Sequence, residues 1–176
     1  MIVLIGCSGV GKSTVESVLQ TRLGLTKIIS YTTRTPREGE VDGKDYHFIT
    51  KESFELLDKD GFFAEKAEYN GNYYGIAVKD CTDKSIAVVE LNGLKQLRCN
   101  PNLKVTAFCL YANETERARR MLARGDSFQQ VMERILKDRE HFKDAMYYCN
   151  YLINANKSVE EIVTDIIKVM KREGIR

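Results

Sequence analysis

Apolar and polar positions follow one another along the chain in blocks that predict strands alternating with helices. The apolar run Met1–Ile5 ends at a glycine and predicts a buried strand. From Ser13 the apolar residues recur at helical spacing until Gly24, which predicts a helix and its end. Further strands are predicted at 27–31, 85–91, 104–111 and 151–153, and further helices at 114–145, with a break near Gly125, and after Ser158. This order predicts an α/β fold in which a parallel sheet is covered on both faces.

Residues 32–80 interrupt the alternation. Their first part, 32–45, is rich in Thr, Arg, Glu, Asp and Gly and contains Pro36, which is typical of an exposed loop. A short strand at 46–49, a helix at 51–59 and two strands joined by an Asn70-Gly71 turn are predicted to follow. The sequence therefore predicts a small mixed α+β insertion in a core made of residues 1–31 and 81–176.

The composition is that of a globular protein with balanced charge. The chain has 176 residues, with 27 Lys and Arg against 25 Asp and Glu. This balance argues against nucleic acid as a partner, and no apolar run is long enough to cross a membrane. The five cysteines are scattered without a C-x-x-C pair, which predicts reduced thiols and a cytoplasmic protein. The sequence leaves the oligomeric state open between a monomer and a homodimer.

A glycine-rich segment between the first strand and the first helix matches G-x-x-x-x-G-K-[ST]. In such a loop, successive backbone N–H groups surround a phosphate, and glycines permit the close approach and the positive φ angles. Lys12 is predicted to reach the β- and γ-phosphates, and the Ser13 hydroxyl to bind Mg²⁺. The predicted ATP-binding residues of this P-loop are Gly6, Cys7, Ser8, Gly9, Val10, Gly11, Lys12, Ser13 and Thr14.

The segment Asn156-Lys157-Ser158-Val159 begins like the N-K-x-D guanine motif of GTPases, but Val159 stands where the motif requires Asp. Ser158 and Glu161 form an S-x-x-E pair ahead of an apolar stripe, which predicts the capped start of a helix. The segment therefore favours a helix cap, and a GTPase becomes an unfavourable interpretation.

The insertion carries a more distinctive pattern. Residues 30–40 read S-Y-T-T-R-T-P-R-E-G-E and residues 42–46 read D-G-K-D-Y, with F-A-E at 63–65 and G-N-Y-Y-G at 71–75. Together with the P-loop, this pattern resembles the guanylate kinase family over nearly the whole chain. The resemblance implies a three-layer P-loop core, an inserted GMP-binding domain, and a helical lid at 119–135. It also implies Mg²⁺-dependent transfer of the γ-phosphoryl group of ATP to GMP, giving ADP and GDP.

The resemblance also assigns a GMP site. Arg34, Arg37, Tyr46 and Tyr74 stand where the family holds the GMP phosphate, and guanidinium groups suit bidentate binding of a phosphate. Glu65 stands at the guanine-binding position, where a carboxylate can accept hydrogen bonds from N1 and N2 of the base. The further GMP-binding residues that the resemblance implies are Ser30, Glu40 and Glu90.

Arginines of the predicted helical lid complete the expected site. Arg120 and Arg124 are four residues apart and lie on one helix face. The resemblance implies that they and Arg134 close over the phosphates, and that Asn154 contacts the ATP base. Arg117 and Arg119 are nearby, so the register among these arginines stays open. The implied catalytic residues are Lys12, Arg34, Arg120, Arg124 and Arg134.

The chain departs from the family pattern at three places. Val88 replaces the first acid of an Asp-x-Asp pair, Ile76 stands at a position that usually carries a hydroxyl, and the lid near Gly125 is about one residue short. Two alternatives therefore stay open: a non-catalytic guanylate-kinase-like module that binds a phosphorylated protein, and a related kinase with another phosphorylated acceptor. The intact Lys12 and Ser13 favour the enzyme over the module.

Overall fold

The fold is given by a computed structural model that describes residues 1–69 and 71–175. The strands are β1 (Ile2–Ile5), β2 (Thr26–Lys27), β3 (Tyr31–Thr32), β4 (His47–Phe48), β5 (Phe63–Tyr69), β6 (Asn72–Ala77), β7 (Ser85–Val88), β8 (Thr106–Tyr111) and β9 (Tyr151–Asn154). The helices are α1 (Lys12–Leu23), α2 (Lys51–Lys59), α3 (Leu91–Cys99), α4 (Glu114–Ala123), α5 (Phe128–His141) and α6 (Val159–Arg172). None of these helices has both the length and the hydropathy to span a bilayer.

The strands form two sheets. Five of them make a parallel sheet in the order β2-β7-β1-β8-β9. The other four make a mixed sheet in the order β4-β3-β6-β5, in which β6 is antiparallel to both of its neighbours. The predicted α/β fold with a mixed insertion is confirmed.

Strand β1 shows why the core has helices on both faces of the parallel sheet. Its side chains alternate in direction, as in any strand. Ile2 and Leu4 pack into a cluster that includes residues of α1 and α6, whereas Val3 and Ile5 pack into a second cluster that includes residues of α3. Because both faces are apolar and covered, the strand reads as a continuous apolar run.

The single strand predicted at 27–31 is wrong, because two separate strands occupy that stretch. β2 ends at Lys27, and the Ile28 amide still donates to the Ile86 carbonyl of the parallel sheet. The Ser30 carbonyl already accepts from the His47 amide in the mixed sheet. The chain therefore crosses between the two sheets at residues 28–30, which places Ser30 at their junction.

Other boundaries also differ from the pattern. The strand predicted at 85–91 ends at Val88, and α3 begins at Leu91. The helical stretch at 114–145 is broken as expected near Gly125, which has φ +99°. The predicted capping box at Ser158 and Glu161 is confirmed. Of the predicted Asn70-Gly71 turn, Asn70 lies outside the described residues.

Candidate functional site

The P-loop connects β1 to α1 and passes close to neighbouring backbone. A Cβ on Gly6 would lie 2.4 Å from the Leu110 carbonyl oxygen, so no larger residue fits there. Gly9 and Gly11 have φ +76° and +100°, in the region that favours glycine. These conformations let the loop turn its backbone toward the space at the N-terminus of α1, where a helix favours an anion.

Lys12 is held inside this loop. Its Nζ donates to the carbonyl oxygens of Gly6, at 2.5 Å, and of Cys7, at 3.3 Å. Burial lowers the pKa of the Lys12 ammonium, and the carboxylate of Glu90 opposes that shift. The ammonium has therefore lost much of its water and is positioned to neutralise an anion that enters the loop.

A cleft of about 1020 Å³ opens in front of the P-loop, and we call it the donor cleft. It gathers predicted residues from three parts of the chain. From the P-loop come Ser8, Gly9, Gly11, Lys12, Ser13 and Thr14; from the predicted lid come Arg120, Arg124 and Arg134; and after β7 comes Glu90. The structure thus brings cations, loop amides and the carboxylate of Glu90 to a common space, which Glu116 and Glu161 also line.

The three lid arginines are placed differently. Arg120 donates to the Val10 carbonyl at 2.9 Å and to the Ala155 carbonyl at 2.8 Å, so it joins the P-loop to the loop after β9. Arg124 pairs with Asp126 at 2.6 Å and is half exposed. Arg134 is exposed on α5. Arg120 is therefore built into the cleft wall, whereas Arg124 and Arg134 stand at its solvent side.

Asn154 is not among the residues that line the donor cleft. Its side-chain oxygen accepts hydrogen bonds at 2.9 Å from the backbone amide and from Nδ2 of Asn156. Asn156 and Lys157 do line the cleft, and sequence reasoning placed neither of them there. Their position directly after the last strand of the sheet is the signal that could have identified them.

Arg34 lies at the centre of a second polar cluster, in the insertion. Its Nη2 donates to both carboxylate oxygens of Glu40, at 2.8 and 2.9 Å. The same carboxylate accepts from the backbone amide of Arg37 at 2.7 Å. The Arg34 hydrogen bond holds the pKa of Glu40 below its usual value. Glu40 therefore shapes the loop that presents Arg34, while the Arg37 side chain is exposed on the same loop.

Two tyrosines complete this cluster. The guanidinium carbon of Arg34 lies 5.5 Å from the centre of the Tyr46 ring, and the Tyr46 and Tyr74 rings are 6.1 Å apart. The hydrogen bond to Glu40 is the main cause of the raised pKa of Arg34, and a hydrogen bond with Tyr74 contributes to it. Burial raises the pKa of the Tyr46 phenol, so it stays a hydrogen-bond donor at neutral pH. One cation and two phenols are thus gathered at one place in the insertion.

Glu65 is a buried carboxylate on β5 and is only 8% exposed. No described residue donates a hydrogen bond to it, and burial raises its pKa to about 7. Gly93 of α3 packs against it so closely that a Cβ there would lie 2.8 Å from Oε1. A carboxylate that is desolvated and receives no hydrogen bond from the protein can accept hydrogen bonds from a bound ligand.

The structure shows what surrounds Ile76 and Val88, two positions that depart from the family pattern, and where the neighbouring Glu90 lies. Ile76 is buried in the apolar cluster of α3, where its side chain replaces a polar contact with packing. Val88 ends β7 beside Leu4. Glu90 is exposed and lines the donor cleft, so one acid of the pair remains at the cleft.

Sequence reasoning missed a carboxylate that touches the P-loop. Asp138 of α5 is 7% exposed and accepts from the backbone amide of Ser8 at 2.8 Å. It also pairs with Arg117 of α4 at 2.7 Å. The signal was a charged residue on the apolar stripe of a helix, because Val131, Ile135 and Asp138 share its buried face.

Comparisons with known proteins all find the same family. A family model described as guanylate kinase matches residues 1–173. A guanylate kinase of Nitratidesulfovibrio vulgaris is 37% identical over 163 residues, which cover 87% of this chain and 79% of that protein. One from Fusobacterium nucleatum is 32% identical, over 97% of this chain and 95% of that protein. The crystal structure of guanylate kinase from Anaplasma phagocytophilum has a TM-score of 0.72 and 25% identity, covering 100% of this chain and 86% of that one.

Proposed function

The chain belongs to the guanylate kinase family, and we infer that it is an ATP:GMP phosphotransferase that moves the γ-phosphoryl group of ATP onto the phosphate of GMP. The observation that carries the choice of acceptor is Glu65, a buried carboxylate that receives no hydrogen bond from the described residues. Guanine offers adjacent donors at N1 and N2 that match its two oxygens, whereas adenine does not. A P-loop alone would fit many kinases.

The donor cleft would bind ATP, the phosphoryl donor. The P-loop amides and Lys12 would hold the β- and γ-phosphates of ATP, with the helix dipole of α1 adding to the attraction. Arg120, Arg124 and Arg134 would neutralise the charge that spreads over the transferring group. Arg124 and Arg134 stand at the solvent side of the cleft, a placement that supports a role in closure over the bound nucleotide.

The acceptor half falls to the insertion. Arg34 and Arg37 would bind the GMP phosphate, and the Tyr46 and Tyr74 phenols would donate to its remaining oxygens. Ser30, at the junction of the two sheets, would bind the base beside Glu65. We propose that residues 32–80 form the GMP-binding domain, residues 1–31 and 81–176 the core, and residues 119–135 the lid.

The transfer itself needs no dedicated base. The second pKa of a phosphate monoester is about 6, so the acceptor is largely a dianion at neutral pH. The protein's task is then to hold the two phosphates in line and to neutralise their charge, which Lys12 and the arginines can do. Exclusion of water by closure would suppress hydrolysis of ATP.

The chemistry of the donor cleft suits a magnesium ion that arrives with the nucleotide. The Ser13 hydroxyl and the Glu90 carboxylate both line the cleft. The described residues contain no group of three or more His, Cys, Asp or Glu that could hold a metal ion. Mg²⁺ keeps several waters and binds through substrate phosphates plus one or two protein oxygens. When bound with the nucleotide, it would neutralise negative charge on the phosphates of ATP.

An acceptor screen tests the proposed activity. Release of ADP is measured in a coupled assay with ATP, Mg²⁺ and one nucleoside monophosphate at a time. GMP is expected to be phosphorylated with a kcat/KM at least about 1000-fold above AMP, because AMP leaves the buried Glu65 carboxylate unpaired. Equal rates with AMP would point to the related-kinase alternative. Absence of both turnover and ATP binding would point to the non-catalytic module.

Substitution of Gly93 tests how the guanine-binding carboxylate is placed. In Gly93→Ala, the new methyl group would push Glu65 from its position, since the Cβ would lie 2.8 Å from Oε1. The KM for GMP is expected to rise about tenfold, the cost of one strained hydrogen bond, while the KM for ATP stays the same. Helix propensity favours alanine by about 1 kcal/mol, so the melting temperature should not fall. An unchanged KM for GMP would contradict the proposed role of Glu65.

We also propose that the protein works in the cytoplasm, because all five cysteines are free and reduced thiols are typical of that compartment. Sedimentation at micromolar concentration would decide between a monomer and a homodimer.

A further inference from the structure

Arg117 and Asp138 form a buried ion pair between two helices. Arg117 of α4 is 3% exposed and Asp138 of α5 is 7% exposed. The guanidinium Nη1 donates to Oδ2 of Asp138 at 2.7 Å. Two charges of this kind lose most of their hydration, so such a pair adds little net stability over apolar residues of similar volume. Its presence therefore needs another explanation.

Both members of the pair also form hydrogen bonds with one residue of the P-loop, Ser8. The Ser8 amide donates to Oδ2 of Asp138 at 2.8 Å, and Nη1 of Arg117 donates to the Ser8 carbonyl at 3.3 Å. The Ser8 hydroxyl reaches Oδ1 of Asp138 at 3.4 Å. The two main-chain groups of a single P-loop residue are thus fixed by two different helices.

The next P-loop residue packs against the same place. A Cβ on Gly9 would lie 2.7 Å from the Arg117 carbonyl oxygen, so the loop touches the backbone of α4 directly. Three residues further along α4, Arg120 binds the Val10 carbonyl. The outer side of the loop at Ser8, Gly9 and Val10 is therefore shaped by α4, with Asp138 supplying the contact from α5.

The pair also anchors the helix that carries a lid arginine. Asp138 lies four residues after Arg134 on α5, and residues at this spacing share a helix face. Because Asp138 is hydrogen-bonded to the P-loop, α5 cannot slide along its axis without breaking that bond. The same contact therefore anchors the helix that carries Arg134 beside the phosphate-binding loop.

We propose that Arg117 and Asp138 are positioning residues for the ATP half of the reaction. Through Ser8 they hold the shape of the phosphate-binding loop, and through the Asp138 contact they anchor α5, the helix that carries Arg134, beside that loop. This proposal rests on the proposed function, since it assigns the donor phosphates to the loop.

Two double variants test the proposal without leaving a buried charge unpaired. Arg117→Met/Asp138→Leu removes both charges and the acceptor for the Ser8 amide. Arg117→Met/Asp138→Asn has nearly the same shape but keeps a side-chain oxygen for that amide. Both are expected to fold, because replacing both members of a buried ion pair is often neutral for stability. If the leucine variant does not fold, Arg117→Met/Asp138→Ala takes its place in the same comparison.

The leucine variant is expected to lose about 100-fold in kcat/KM for ATP, the size of effect that a small misplacement of binding groups produces. Its affinity for GMP should stay within about twofold of the unaltered chain, a difference of only about 0.4 kcal/mol. The asparagine variant should recover most of the loss. As a control, Glu114→Gln/Arg139→Gln removes the exposed ion pair between the same two helices and should leave the ATP parameters unchanged.

Two readouts separate the possible results. Melting temperatures show whether each variant is folded, and calorimetric titration with a non-hydrolysable ATP analogue measures donor affinity without turnover. Folded leucine and asparagine variants with unchanged ATP affinity and kcat would overturn the proposal, as would equal losses for ATP and GMP. If the unaltered chain bound the analogue but did not phosphorylate GMP, the proposed function would fail, while the affinity comparison would still decide the role of the pair.

Discussion

Replacing Lys12 by methionine is expected to lower kcat about 1000-fold, as loss of one preorganised charge-stabilising donor does. The ammonium is already desolvated and lies among the P-loop carbonyls, at 2.5 Å from the Gly6 oxygen. Because closure over the bound nucleotide would exclude water, no solvent molecule could replace the ammonium as the γ-phosphoryl group moves. The loss corresponds to about 4 kcal/mol of transition-state free energy.

The same substitution should not destabilise the fold. Burial lowers the pKa of Lys12, so the folded state disfavours the charged form, and removing the charge at neutral pH removes that cost. The melting temperature is expected to stay the same or rise. Steady-state kinetics and thermal unfolding measure both effects, with Lys171→Met, an exposed lysine in the last turn of α6, as the control. A kcat within tenfold of the unaltered chain, in a folded variant, would contradict the role given to Lys12.

Features that depend on contiguous residues could be predicted from the sequence. The P-loop is one continuous segment between a strand and a helix, so the pattern of glycines, Lys12 and Ser13 was enough to identify it. The α1 helix ends at Gly24 with φ +63°, and the capping box at Ser158 starts α6. Short-range rules for capping and turns decide such positions before any tertiary packing is known.

Features that depend on distant residues could not be predicted. The contact between Ser8 and Asp138 joins positions 130 residues apart and exists only because α5 packs beside the P-loop. The crossing at residues 28–30 depends on which sheet each backbone group joins. The apolar residues Ile28 and Ile29 fit one strand as well as two separate strands, so the pattern did not reveal the crossing. Propensity is a weak guide where tertiary contacts decide the outcome.

Glu40 shows an intermediate case. The sequence implied that it belongs to the nucleotide site, and the structure places its carboxylate on Arg34, six residues before it. Pairs this close in sequence are within reach of a loop, but several acids in the segment could have served. Only the folded loop selects Glu40 as the partner.

Glu65→Gln is expected to lower GMP affinity about 100-fold, because two hydrogen bonds to a charged acceptor are worth about 3 kcal/mol or more together. Glutamine keeps the shape but offers one acceptor and one donor, and the donor faces a donor of guanine. The kcat/KM ratio for GMP over AMP should fall by a similar factor, because AMP gains nothing from the carboxylate. Calorimetry with GMP and the coupled assay with both acceptors measure these changes.

The unaltered chain should show the same carboxylate as a pH dependence. Burial raises the pKa of Glu65 to about 7, and only the ionised form offers guanine two acceptors. The Kd for GMP is therefore expected to rise as the pH falls below 7, approaching about tenfold per pH unit. Glu65→Gln lacks this group, so its Kd should change only as the GMP phosphate titrates, near about pH 6. The variant therefore separates titration of the protein from titration of the ligand.

As the pH falls, the stability of the fold should rise while the affinity for GMP falls. The pKa of Glu65 is higher in the folded chain, about 7, than its ordinary value of 4.5, so folding favours the protonated form. At a pH below the ordinary pKa, Glu65 is protonated and does not destabilise the folded state. Ionisation of the buried carboxyl destabilises the fold increasingly as the pH rises toward 7, and the full effect above pH 7 is on the order of 3 kcal/mol. Glu65→Gln should therefore melt higher than the unaltered chain, with a gain that increases between about pH 5 and pH 7 and then levels off.

Glu68→Gln provides the matched control, because Glu68 lies exposed on the same strand. It should change neither the GMP affinity nor the pH dependence of melting. If the Glu65→Gln variant bound GMP as tightly as the unaltered chain, Glu65 would not be the residue that binds guanine. If the variant instead lost GMP binding without gaining stability above pH 7, the carboxylate would bind the base without the desolvation cost that its burial implies. Thermal unfolding across the pH range, run beside the GMP titrations, distinguishes these outcomes.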